Sequence, residues 1–207
     1  MRLFLVRHGE SEGNARRVFQ GRLDYGLTPR GELQARSLAG RLSGMEVVHF
    51  ATSPQRRARL TAEILGSTLG RTAVPLPELS EYDIGEPSGL TVAEVRERYP
   101  GILEAQRRGE RVEFPGEEGR EQFQSRVRRA LDFLTAFDGD VVAVTHGGVV
   151  SAVCHMVTGV DLVRRGVFHV GNCSLTVIER DRRGRLVLAR HNDGCHLDGL
   201  ATAFDTG

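Results

Sequence analysis

Apolar positions in this chain follow two periods that take turns along its length. Short continuous runs at Leu3-Phe4-Leu5-Val6 and Val141-Val142-Ala143-Val144-Thr145 read as buried strands, and Val47–Ala51 is a short apolar strand candidate. Between them lie stretches with helical spacing. Residues 28–43 place Ala35, Leu38, Ala39 and Leu42 on one stripe, and Thr28-Pro29 supplies an N-cap followed by proline at the first helical position. Ser53-Pro54 repeats that start signal and predicts a helix with Ala58, Thr61, Ala62, Leu65 and Leu69 on its inner face. A longer helix with Phe123, Val127, Leu131 and Leu134 inward precedes the strand at 140–145, and another helix follows near 148–158. Segments 166–179 and 185–191 read as strands turning at Asp181-Arg182-Arg183-Gly184. Residues 74–118 break the pattern with Pro, Gly and charge, leaving room for two short helices around 91–109.

Strands alternating with helices predict an α/β fold, a three-layer sandwich with a mainly parallel central sheet and helices on both faces. The irregular stretch would form a small lid insertion over residues 80–118. No internal repeat, low-complexity tract or linker divides the chain, so residues 1–207 are expected to be one domain.

Composition narrows the class. A formal net charge of +1 provides no overall field for a nucleic-acid or membrane partner. Every basic residue is Arg, spread over the whole chain, which reads as genomic bias rather than a binding feature. Cys154, Cys173 and Cys195 are odd in number and lack C-x-x-C spacing, arguing against a disulfide framework or a zinc ribbon. The first apolar run ends at Arg7, too short for a signal peptide, and no stretch approaches membrane-spanning length. A cytoplasmic protein is the expectation.

Candidate chemistry gathers at strand ends. Arg7-His8-Gly9 follows the first strand and His146-Gly147-Gly148 follows the one at 140–145. Ligands of open α/β sheets collect beyond the carboxyl ends of the strands, where both imidazoles would sit on rigid mounts. The glycines let the backbone turn sharply and a ligand come close. Arg57 falls in the first turn of the helix after strand 47–51, a mount that favours an anion. Arg7, His8, Arg57 and His146 are therefore expected to converge on one spot, and two guanidinium forks suit phosphate oxygens. Blander roles suit other residues: Arg59 a solvated helix face, Arg107-Arg108 with Arg111 a wet helix end, and His49, His155, His169 and His191 core or surface positions. No H-x-x-x-H or H-E-x-x-H spacing argues for a metal.

Arg7-His8-Gly9-Glu10-Ser11 with Asn14, then Gln20-Gly21 and Leu27-Thr28-Pro29-Arg30-Gly31, resembles the opening of the histidine phosphatase superfamily, the phosphoglycerate mutase-like fold, in its phosphatase branch. Ser53-Pro54-Gln55-Arg56-Arg57-Ala58 resembles its second arginine motif, Leu79-Ser80-Glu81 the stretch bearing its acid, and Val144-Thr145-His146-Gly147 its second histidine motif. Asn172-Cys173-Ser174 and His196-Leu197 resemble late features of unassigned role. The resemblance implies a phosphatase for small phosphorylated metabolites, with His8 as nucleophile and Glu81 as proton donor. Arg7, Arg57 and His146 would bind the phosphoryl group, and Ser11, Asn14, Gln20, Gly21 and Gly147 would line the substrate pocket. Neighbouring arginines would keep the His8 ring neutral. No metal or other cofactor is implied, and a homodimer is compatible with it. Two departures bear on the lid: Pro87 stands where many relatives carry Trp, and Pro115-Gly116-Glu117-Glu118-Gly119 replaces Pro-Gly-Gly-Glu-Ser, removing a Ser that could cap the next helix. A mutase-type phosphotransferase is the alternative within the family; Glu81-Tyr82-Asp83-Ile84-Gly85 in place of Glu-Arg-His-Tyr-Gly and the lack of an insertion favour the phosphatase. A non-catalytic phospho-ligand module is the alternative outside it.

Overall fold

Each predicted strand run becomes a strand, and their order explains why distant residues meet. The computed structural model describes residues 1–108, 110, 112–161 and 167–200. In chain order these form β1 (Arg2–Arg7), α1 (Glu12–Ala15), α2 (Pro29–Arg41), β2 (Val47–Thr52), α3 (Arg56–Leu69), β3 (Val74–Pro75), a 3-10 turn (Pro77–Leu79), α4 (Val92–Arg98), α5 (Pro100–Arg107), α6 (Arg120–Leu134), β4 (Asp140–Thr145), α7 (Gly147–Thr158), β5 (Leu175–Arg180) and β6 (Leu186–Asp193). The sheet order is β3-β2-β4-β1-β5-β6. The β3–β2, β2–β4 and β4–β1 pairings are parallel, and β5 runs antiparallel to both β1 and β6.

Alternate residues of the buried strands feed two separate cores. Leu3, Leu5, Val141, Ala143 and Ile178 pack with Val127, Leu131, Leu134 and Val153 beneath α6 and α7. Val6, Phe50, Val142, Val144 and Leu175 pack with Ala35, Leu38, Ala58, Ala62 and Leu65 beneath α2 and α3. A strand apolar at every position is what a sheet covered on both sides requires, each fully buried aliphatic side chain contributing about 1.5–3 kcal/mol.

Helix starts follow local chemistry with one correction. Thr28 caps α2 as expected, its Oγ1 accepting from Gly31 N at 3.0 Å, with Pro29 in the first turn. Ser53 does not cap α3: Gln55 occupies the N-cap without a side-chain bond, and the helix begins at Arg56. Ser53 is fully buried, and its hydroxyl is used elsewhere. The strand expected from 166 begins at 175, because Gly171 and Asn172 leave the ladder to bond Asn192 and His8. Residue 166 and Arg111 lie outside the described residues. Gly119 stands at the N-cap of α6 with φ 81° and no side-chain cap, as the missing Ser implied.

The crossover from β1 to β2 leaves one place between them, which β4 fills. Registers Thr52↔Val144 and Arg7↔Thr145 bring the carboxyl ends of β2, β4 and β1 level. The residues that come next, Ser53, His146 and His8, therefore leave three adjacent strands at one edge. Over 80–118, α4 and α5 are flanked by turns at 86–89 and 115–116, and Gly85 meets the latter so closely that a Cβ there would lie 2.1 Å from the Pro115 carbonyl oxygen.

Candidate active site

The rings of His8 and His146 lie with centroids 5.1 Å apart at an interplanar angle of 62°. Both are buried, at 3% and 0% exposure. His8 Nδ1–H donates to its neighbour's carbonyl, Gly9 O, at 2.7 Å, which leaves Nε2 with the lone pair. Arg57 Nε–H donates to that Nε2 at 3.2 Å. The remaining guanidinium nitrogens donate to Leu23 O at 2.7 Å and Gly21 O at 2.9 Å, so a fully buried cation is held by three acceptors. Gly21, at φ 48°, lets its loop turn and present that carbonyl. Arg7 donates to Val170 O and acts electrostatically on His8, His146 and Arg57.

Burial more than charge sets the protonation of these rings. Both histidines are held well below the usual imidazole value of 6.5, first by desolvation and then by Arg57; Arg7 adds to both. Burial lowers Arg57 to about 10, opposed by the charges of Glu81 and Asp24, so it stays cationic at neutral pH. The site thus pairs neutral imidazoles with permanent cations.

Around this centre the backbone is tightly threaded. Gly9 N donates to Thr61 Oγ1 at 3.1 Å, and that hydroxyl donates to Arg57 O at 2.8 Å, locking the loop after β1 to α3. A Cβ on Gly9 would sit 2.5 Å from the Gly31 carbonyl oxygen, so the α2 start and this loop touch backbone to backbone. Asn172 Nδ2 donates to His8 O at 3.0 Å and to Asn14 Oδ1 at 3.3 Å. Asn14 and Ser11 form a capping box on α1, and Ser11 Oγ also meets Gln20 Oε1 at 2.7 Å. Ser11 thus bonds both Asn14 and Gln20 and helps fix the loop behind His8, while Gly21 reaches Arg57 directly.

Glu81 is mounted differently. It follows the 3-10 turn rather than a strand, and its carboxylate accepts from Tyr82 N at 2.8 Å and from Gly148 N, in the first turn of α7, at 3.2 Å. A Cβ at Gly148 would meet Glu81 Oε1 at 2.3 Å, so that glycine makes room for the carboxylate. Gln55 Oε1 accepts from Glu81 N at 2.7 Å while Gln55 Nε2 donates to Gly21 O at 3.1 Å. Arg126 donates to the carbonyls of Glu78 at 2.9 Å, Ser80 at 2.6 Å and Glu81 at 3.0 Å, and forks onto Glu118. Glu118 also accepts from Asp83 N at 3.2 Å and pairs with half-exposed Arg22 at 3.3 Å.

Sequence reasoning missed Gln55, Thr61 and Arg126 as parts of this site. Arg126 had a signal: it falls three residues after Phe123 and one before Val127, a charge on the buried stripe of α6. Gln55, within the second arginine motif, and Thr61, on the inner face of α3, gave no sign of their partners in distant loops, Gly21 O and Glu81 N for Gln55 and Gly9 N for Thr61. Arg59, Arg107 and Arg108 are exposed, and His49 stacks on Phe137 with centroids 4.2 Å apart. Among the described residues no cluster of three or more His, Cys, Asp or Glu suits a metal ion, and no helix is long and apolar enough to cross a membrane.

Comparison with known proteins gives this arrangement its class. The family model described as histidine phosphatase superfamily (branch 1) matches residues 3–194, and the chain belongs to that family. It is 35% identical over 200 residues to phosphoserine phosphatase 1 of Hydrogenobacter thermophilus, covering 95% of this chain and 94% of that one. It is 29% identical over 210 residues to a protein of Serratia proteamaculans named "Probable phosphoglycerate mutase GpmB", covering 96% and 95%. A mycobacterial glucosyl-3-phosphoglycerate phosphatase solved with vanadate superposes with a TM-score of 0.82 at 29% identity, over 93% of this chain and 98% of that one. The protein is an enzyme of the histidine phosphatase class, a phosphoric monoester hydrolase.

Proposed function

We propose that the enzyme hydrolyses small phosphomonoesters through a phosphohistidine formed on His8. The observation that carries the reading is a buried imidazole whose Nδ1–H is committed to Gly9 O, whose Nε2 lone pair faces Arg57, and whose neighbour is a second imidazole. A neutral ring is the competent nucleophile, and burial keeps it neutral.

The His8 Nε2 lone pair forms the N–P bond as the P–O ester bond breaks. Arg57 Nε–H, which now rests on that lone pair, passes to a phosphoryl oxygen. Arg7 and His146 take the other equatorial oxygens, where charge spreads during transfer. The departing alkoxide takes the proton of the Glu81 carboxyl. Water then attacks phosphorus and gives a proton to the Glu81 carboxylate; the P–N bond breaks, returning neutral His8 and inorganic phosphate. Phosphomonoester hydrolysis is among the slowest uncatalysed reactions, with enzymic accelerations up to ~10²¹, so this concentration of fixed donors is commensurate with the task.

The named relatives act on phosphoserine and on a phosphoglycerate derivative, so carboxylate-bearing phosphomonoesters, phosphoserine first, are the substrate class to screen. Labelled substrate quenched in denaturant should leave acid-labile phosphate on the wild type and none on His8→Ala. Label persisting on that variant overturns the assignment. Isomerisation of 3-phosphoglycerate with bisphosphoglycerate, without free phosphate, would instead make the enzyme a mutase.

A further inference from the structure

We infer that Ser53 is a positioning residue that sets the tautomer of His146, placing its proton on Nδ1 so that the ring can donate to the phosphoryl group. This rests on the phosphatase reading above and assigns a task to a residue that the helix-start signal would have used as a cap.

The argument is one of hydrogen-bond accounting. Ser53 Oγ and His146 Nε2 lie 2.7 Å apart, and both residues are fully buried. A hydroxyl has one proton and two lone pairs. One lone pair of Ser53 Oγ accepts from Gln55 N–H at 3.3 Å. Among the described residues, His146 Nε2 is the acceptor available to the Ser53 proton. If Nε2 instead carried the hydrogen, it would donate to Ser53 and the hydroxyl proton would be stranded in a buried place, costing its full desolvation. The hydroxyl therefore donates, Nε2 accepts, and the ring proton resides on Nδ1.

That second nitrogen is buried and has no hydrogen-bond partner among the described residues. It belongs to the ring beside His8, and burial, reinforced by Arg57 and Arg7, keeps the imidazole from taking a second proton. A buried N–H lacking an acceptor favours an anionic oxygen arriving there. The other tautomer would present a lone pair to that oxygen and repel it. Strand order enforces the relay: Ser53, His146 and His8 follow β2, β4 and β1, which are neighbours in the sheet, and Ser53 N is itself held by Val144 O at 2.8 Å.

The test is nitrogen-15 NMR on histidine-labelled enzyme, alone and with vanadate, together with kinetics of Ser53→Ala and Ser53→Thr. Wild type should show a protonated Nδ1 and an unprotonated Nε2 for His146 at pH 7. Ser53→Ala should shift that ring toward mixed tautomers. Its kcat should fall roughly 10- to 100-fold, the rate equivalent of one charge-assisted hydrogen bond, with a smaller change in KM. Ser53→Thr keeps the hydroxyl and should restore the tautomer and most of kcat. A proton on His146 Nε2 in the wild type overturns the proposal, and so does a folded Ser53→Ala enzyme with unchanged kcat. Phosphohistidine trapping on the same samples separates the two readings: label on His8 with the wrong His146 tautomer refutes this inference alone.

Discussion

The two halves of the proposed catalytic site are built on opposite principles. His8, Arg57 and His146 hang from the ends of parallel strands or the first turn of the following helix, so the sheet ladder sets their positions. Glu81 sits on an irregular segment whose backbone is gripped by side chains, Gln55 at its N–H and Arg126 at its carbonyl. Regular structure places His8, Arg57 and His146 at one edge, and side chains such as Thr61, Asn172 and Ser53 then fix their loops and rings. Glu81, the proposed acid, stands on no strand end, so its geometry depends on a few polar contacts that a point mutation can remove. On the proposed roles, phosphoryl binding and proton donation should therefore be separable by mutation, except at Gln55, which bonds both Gly21 O and Glu81 N.

The sharpest break comes at the acid itself. Glu81→Gln is expected to lower kcat roughly 10²- to 10⁴-fold on alkyl phosphomonoesters and far less on nitrophenyl phosphate, whose leaving group needs no proton. Equal losses on both substrates would place Glu81 in the binding half instead. Next is the grip on its backbone. Arg126→Met strands the Glu78, Ser80 and Glu81 carbonyls and removes the buried partner of Glu118, so urea unfolding should show a loss of about 3 kcal/mol. Arg22→Met, which breaks a half-exposed pair with the same Glu118, should cost under about 1 kcal/mol.

The strand-end half reads out in pH. His8 and His146 are depressed in the fold from 6.5, so below that pH the unfolded chain takes up protons that the folded chain refuses. Stability should therefore fall with pH from about 6.5 down to the folded values, approaching about 1.4 kcal/mol per pH unit for each ring. Urea titrations should show His146→Gln removing that ring's share of the slope, with an unchanged slope refuting the assignment.

Legibility in the sequence divides along the same line. The runs at 3–6, 47–51 and 141–145 each became a strand because continuous apolarity has few other uses in a domain of this size. Arg7, His8, Arg57 and His146 could be placed together because each stands a fixed number of residues from such a run. Ser53 misled: Ser before Pro is a helix-start signal in local chemistry, but a buried imidazole from the neighbouring strand end competes for its hydroxyl. The strand expected from 166 started late for a similar reason, since Asn172 serves the His8 loop instead of extending the ladder.

Periodicity and strand-end placement determined the layered α/β architecture and the meeting of the two histidines, and the enzyme class followed from the resemblance of those motifs to a known family. These depend on contacts repeated at regular intervals, which leave a trace in the order of residues. The hold on Glu81, the pairing of Ser53 with His146, the locking of the Gly9 loop by Thr61 and the strength of burial on each ring were decided in three dimensions. Each depends on a single hydrogen bond or on desolvation between segments far apart in the chain, and neither has a period to read.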